Sequence, residues 1–284
     1  MSNNAQLQIR PATPTQIDLA VEWAAAEGWN PGSIDADCYR VADPNAFLIG
    51  LLDGEAVATI SVVRYDESFG FLGFYIVRPD RRGLGLGMQI WNAGMAYLNG
   101  CCIGLDGVVE QVPNYAKSGF KLAYRHLRYA TMGGGSPSIT DAIVDLIELP
   151  FAQLASYDRD FFPSARPAFL REWINQPEAT ALCAVRQSEI SGYGVIRPCR
   201  TGAKIGPLYA DDAATAQYLF EALKCTMGVD QEVYLDVPDA NPAAMALVKA
   251  NGMEVQFECA RMYRGQRPEL PVERIYGVTS MEIG

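Results

Sequence analysis

Histidine is nearly missing: His126 is the only one in 284 residues. The seven cysteines, at 38, 101, 102, 183, 199, 225 and 259, form no CxxC pair. The ligand spacing of a zinc site is therefore absent and no metal is expected. An odd number of thiols in apolar contexts fits buried reduced cysteines and argues against a disulfide framework. No uninterrupted apolar run approaches the ~18 residues of a membrane span. The opening stretch MSNNAQLQIRPATPTQ has neither the charged start nor the apolar run of a signal peptide. A cytoplasmic protein with no membrane partner is the expectation. Positive charge is also scarce, with 23 Lys and Arg against 33 Asp and Glu and a net charge of -10. Such a chain repels phosphate backbones, so nucleic acid is not an expected partner. Acidity suits a cationic substrate, but it serves solubility equally well.

Hydrophobic residues make up 49% of the chain, enough for a sizeable core in one large or two smaller domains. The clearest break is MGGGSPS, residues 132–138, which reads as a linker and divides the chain into 1–134 and 135–284. The two sides rhyme. AFLIGLLDGEAVATISVVRY (46–65) is two β-rich runs joined at Asp53-Gly54, and ATALCAVRQSEISGYGVIRP (179–198) repeats that plan. A strand (71–77), a glycine loop, a helix (about 87–98), the strand CCIGLDGVVE and NYAKSGF follow in the first half. AKIGPLYA, DAATAQYLFEALKC, QEVYLDVP and NPAAMALVKANGM follow in the second, with Asn241 and Pro242 as N-cap and first helical residue. Each copy is too short for a TIM barrel. Strands joined by single crossover helices predict a mixed α/β sheet with helices on both faces.

The stretch IVRPDRRGLGLG, residues 76–87, puts arginines and three glycines between a strand and a helix. Unpaired N–H groups and the helix dipole make such a turn an anion site, and Arg81 or Arg82 would add a charge-assisted contact. It ends in no GK[ST], so it is not a Walker loop, and GxGxG preceded by arginines is not the dinucleotide fingerprint GxGxxG. It resembles the R/Q-x-x-G-x-G/A signature of the GNAT N-acetyltransferase superfamily. YAKSGF, residues 115–120, resembles that family's Y-x-x-x-G-F segment. The whole chain is similar to tandem GNAT proteins with a divergent second domain.

The resemblance implies two GNAT-like domains, each an α/β (α+β) unit with a mixed, mostly antiparallel sheet flanked by helices. Residues 1–134 would be catalytic. Residues 135–284 would be silent, because IGPLYADDA replaces the glycine loop and Val248 stands where the first copy has Tyr115. The implied reaction is direct transfer from acetyl-CoA to the primary amine of a small molecule. Arg82, Gly83, Leu84, Gly85, Leu86 and Gly87 would cradle the pyrophosphate. The backbone of Tyr75, Ile76 and Val77 would meet pantetheine, and Tyr115 would protonate the leaving thiolate.

Glu110 is the candidate base and Asp106 the second choice, although a solvated strand-end carboxylate accounts for either. His126 is set aside because it falls in the strand after SGF, away from the expected thioester position. In AAAEGWNPG (24–32), Glu27, Trp29 and Asn30 are candidate acceptor contacts, and Asp35 and Asp37 make that loop acidic. Trp29 serves equally well as a staple under the first helix. A non-catalytic acyl-CoA-binding or scaffolding protein is the alternative. Acylation of a protein lysine or N-terminus would need an open groove. The oligomeric state, monomer or homodimer, is left open.

Overall fold

The structure is a computed structural model that describes residues 6–136 and 143–284; Met1–Ala5, and Pro137 and Ser138 of the linker stretch, lie outside the described residues. The first half comprises β1 (Gln8–Pro11), α1 (Pro14–Ala26), α2 (Asp35–Ala42), β2 (Phe47–Leu52), β3 (Glu55–Arg64), β4 (Phe69–Val77), α3 (Leu86–Tyr97), β5 (Cys102–Val108), α4 (Val112–Lys117) and β6 (Lys121–Met132). The second comprises β7 (Ile143–Asp145), α5 (Phe151–Asp158), α6 (Pro167–Ile174), β8 (Thr180–Arg186), β9 (Glu189–Pro198), β10 (Ala203–Ala210), α7 (Ala213–Cys225), β11 (Glu232–Pro238), α8 (Pro242–Ala250), β12 (Glu254–Arg264) and β13 (Ile275–Gly277).

Local chemistry sets most of these boundaries. Asp53 and Gly54 take φ of 53° and 85°, the two left-handed residues of a hairpin turn matched to strand twist. The Asn241 side chain accepts the N–H groups of Ala243 and Ala244, and Pro242 opens α8 with no donor to lose.

Each half has a mixed, mostly antiparallel sheet, parallel among the described residues only at β4–β5 and β10–β11. The two sheets are fused into one, ordered β1-β2-β3-β4-β5-β12-β6-β11-β10-β9-β8-β7, with β13 attached to β10. The last long strand of each half has crossed into the other. β12 pairs with β5 from Cys259↔Val108 to Arg264↔Ile103, and β6 pairs with β11 from Glu232↔Met132 to Pro238↔His126. Side chains go with the strands. Ala260 and Met262 are buried among Ile103, Leu105 and Phe120 of the first half, while Tyr129 packs with Val233 and Leu235 of the second.

A third core spans both halves, with Tyr39, Phe47 and Phe74 packed against Phe169, Trp173 and Tyr193. Beside it lies a buried ion pair. Arg197 donates to both carboxylate oxygens of Asp35 at 2.7 and 2.9 Å and stacks 4.2 Å over the Trp173 ring. Asp35 is thus not a surface charge of the acidic loop, as its sequence position suggests; it is fully buried, and the Arg197 that neutralises it comes from β9. Removing its carboxylate strands a buried guanidinium, so Asp35→Ala is expected to cost ~3–5 kcal/mol, read as a lowered urea midpoint.

Candidate active site

β4 and β5 run parallel from Phe69↔Cys102 to Leu72↔Leu105 and then part. At the parting point β4 also slips register against β3, and Phe74 takes a φ of 45°. The wedge opens into a cavity of about 630 Å³. One wall is β4, through Tyr75, Ile76 and Val77, and one end is the glycine turn, through Arg82, Gly83, Gly85, Leu86 and Gly87. Tyr115, Glu110, Glu27 and Trp29 complete the predicted residues that line it.

Two predicted residues stand apart. Leu84 turns its side chain to solvent and is 52% exposed. Asn30 lies outside the lining: its side-chain amide bonds both backbone groups of Thr201 at 3.0 Å and ties the α1–α2 loop to the second half.

The turn has the features of an anion cradle. Gly83 and Gly85 take φ of 77° and 76°, and a Cβ on either would meet nothing within 4 Å. Gly85 caps α3 without a side chain, so the first N–H groups of the helix stay available and the dipole adds partial positive charge. Arg82 Nε is held on the Val77 carbonyl at 2.9 Å and its guanidinium reaches the Glu27 carboxylate. Glu27 thereby positions an arginine. Arg81 also lines the cavity.

Tyr115 lies on α4, and its ring lies so close to Gly107 that a Cβ there would enter it. The ring stacks on Trp91 at 5.6 Å and 24°. Burial, with Tyr75 and Cys259 adding, pushes its phenol well above the ordinary value. It therefore keeps its proton throughout the neutral range. Glu110 sits in the short 3-10 turn after β5 and is exposed.

Asp106 is not a spare base. Burial alone would raise its pKa, but Arg261, bonded at 2.8 and 2.6 Å, and His126 Nδ1 at 2.9 Å outweigh it and hold the carboxyl far below the usual range. His126 is one step behind the lining, opposite Cys259 on the neighbouring strand.

Sequence reading missed Arg128, Phe257, Cys259, Met281 and Glu282, which all face this cavity. They come from the exchanged strands and the last residues of the chain, and no local motif announces them. All seven cysteines are free, but Cys259 is part of a cavity wall as well as of the core.

In the second half the matching wedge is filled. β10 and β11 pair in parallel only from Ala203↔Val233 to Ile205↔Leu235, and β13 then pairs with β10 through Leu208↔Gly277 and Tyr209↔Ile275. The helix N-terminus there is taken as well: Asp212 accepts Thr215 N–H at 2.8 Å, and Asp211 holds Tyr157 and Arg274.

Residues 15–120 match the Acetyltransferase (GNAT) family, and residues 154–277 match the Acetyltransferase (GNAT) domain. The chain is a tandem GNAT protein. The holothin acyltransferase of Pseudoalteromonas sp. (strain SANK 73390) is 28% identical over 275 residues, which span 97% of this tandem GNAT chain and 94% of the relative. A putative acetyltransferase of Pyrococcus horikoshii superimposes with a TM-score of 0.82 at 23% identity, covering 98% of this chain and 96% of its own. A tandem GNAT protein from the clavulanic acid biosynthesis pathway superimposes with a TM-score of 0.64 at 14% identity, covering 93% and 100%. Family membership makes this tandem GNAT chain an acyltransferase, and among its described residues no helix is long and apolar enough to cross a membrane.

Proposed function

We propose that the chain transfers the acetyl group of acetyl-CoA to the primary amine of a small molecule, with catalysis in the first half and none in the second. The observation that carries this reading is a single cavity that joins a bare anion cradle, a parted strand edge and a buried phenol. Its finite volume suits a small acceptor. The relative named for holothin favours acyl transfer to a dedicated acceptor.

Acetyl-CoA supplies a thioester carbonyl and a thiolate leaving group. Gly83, Gly85 and the first turn of α3, with Arg82, would hold its pyrophosphate. The parted edge of β4 offers unpaired backbone groups to the pantetheine arm, and an N–H of Tyr75, Ile76 or Val77 would polarise the carbonyl. Tyr115 gives its proton at the sulfur. Glu110, exposed at the cavity, relays the proton lost by the amine.

Calorimetric titration of the whole protein with acetyl-CoA is expected to show a single site per chain. General acids contribute ~10²–10⁴-fold, so Tyr115→Phe should lower thiol release by about 100-fold while leaving acetyl-CoA affinity unchanged. An unaltered rate in that variant would remove Tyr115 from the chemistry.

A further inference from the structure

The tail of the chain serves both wedges in turn. After β13 fills the second, residues 278–284 run back into the first half, where Val278, Met281 and Ile283 are buried in the core common to both. The tail is pinned there. Ser61 Oγ donates to the Glu282 carbonyl at 3.4 Å, Tyr65 donates to the Ile283 carbonyl at 2.8 Å, and Arg166 donates to Thr279 Oγ1 at 3.0 Å. The Glu282 carbonyl lies so close to Gly73 that any Cβ there would collide with it. The close approach occurs where β4 begins to leave β5.

This route delivers Glu282 to the cavity wall with only 4% of its surface exposed. Its carboxylate accepts the Ser280 hydroxyl at 2.6 Å, and among the described residues it is joined to no lysine or arginine. The other charges around the cavity are matched or wet. Asp106 is neutralised by Arg261, Glu27 by Arg82, and Glu110 is exposed. Arg128 bonds Asp236 at 2.7 and 2.8 Å and gives its remaining nitrogen to the Trp29 carbonyl. Arg128 attracts Glu282 electrostatically but makes its direct bonds elsewhere, so the buried carboxylate is only partly compensated until a second cation arrives. Trp29, Phe257 and Met281 supply apolar surface in the same cavity.

We propose that Glu282 recognises the acceptor: its carboxylate receives the ammonium of a small amine whose apolar body lies against Trp29, Phe257 and Met281. This rests on the acetyl-transfer reading above and adds to it the acceptor class, an amphipathic cation, and the element that selects it. The second half thus acts in the first half's chemistry through its tail.

The test uses the whole protein and 2-phenylethylamine, with 2-phenylethanol as its uncharged counterpart, each titrated calorimetrically in the presence of saturating CoA. The wild type is expected to bind the amine at least tenfold more tightly than the alcohol. In Glu282→Gln that preference should vanish while acetyl-CoA affinity stays within twofold, a split that a merely structural glutamate would not produce. Equal binding of amine and alcohol by the wild type, no binding of the amine, or an undiminished preference in Glu282→Gln each overturns the proposal. Should the variant fail to fold, Glu110→Gln decides it: a preference retained there supports Glu282 as the carboxylate that receives the amine, and one lost there overturns the proposal. Absence of acetyl-CoA binding by the wild type overturns the transfer reading itself and is read in a separate titration.

Discussion

A chain ending at Ser138 is expected to be insoluble or molten, with no binding of acetyl-CoA. The cut removes β12, and with it every ladder hydrogen bond on one side of β5 and on one side of β6. It also removes β11, which pairs with the other edge of β6. Ile103, Leu105 and Phe120 lose the buried Ala260 and Met262 that cover them. A buried methionine contributes ~1.5–3 kcal/mol by itself, and the unpaired edge of β5 and both edges of β6 invite association. Net stabilities of ~5–15 kcal/mol do not survive the combined loss. Gel filtration and near-ultraviolet circular dichroism of the fragment would show it. A soluble monomer that unfolds cooperatively and binds acetyl-CoA would mean that the strands can pair within one half. Co-expression of 139–284 as a separate chain should restore binding, since the ladders need no covalent link.

Gly85→Glu is expected to weaken acetyl-CoA binding at least 100-fold without unfolding the protein. The residue caps α3 at a φ of 76°, where an L side chain costs ~1–2 kcal/mol, but a Cβ there meets nothing within 4 Å. The fold therefore tolerates the change. The carboxylate would bind the free N–H groups of the first turn itself and repel the phosphates that need them. Gly85→Ala separates the two effects, because it carries the strain without the charge and should lose far less affinity. Comparable losses in both variants would assign the effect to backbone strain, and tight binding by the glutamate variant would move the pyrophosphate elsewhere.

The parts that were legible in the sequence are those whose causes are local. The turn at Asp53-Gly54, the cap at Asn241, the strand–glycine–helix unit and the place of Tyr115 each follow from residues a few positions apart. The exchange of β6 and β12 was not legible, because ladder hydrogen bonds join backbones and carry no residue identity. Either strand has the apolar alternation to fill either place. Asp35 was misplaced for a related reason: Arg197, which buries it, lies 162 residues along the chain. Asn30 likewise reads as a substrate contact until Thr201, 171 residues on, is seen to hold it.

The filled wedge of the second half limits what substitution can achieve there. Writing the sequence RRGLGLG in place of the aspartates of IGPLYADDA would rebuild a phosphate turn at the start of α7. The backbone groups of Leu208 and Tyr209 would still be engaged by Gly277 and Ile275. A ligand arm that must lie along that edge would have to displace a strand of the same chain. The displaced strand leads directly to Glu282 in the other cavity. A gain of a second site would therefore be made at the expense of the first.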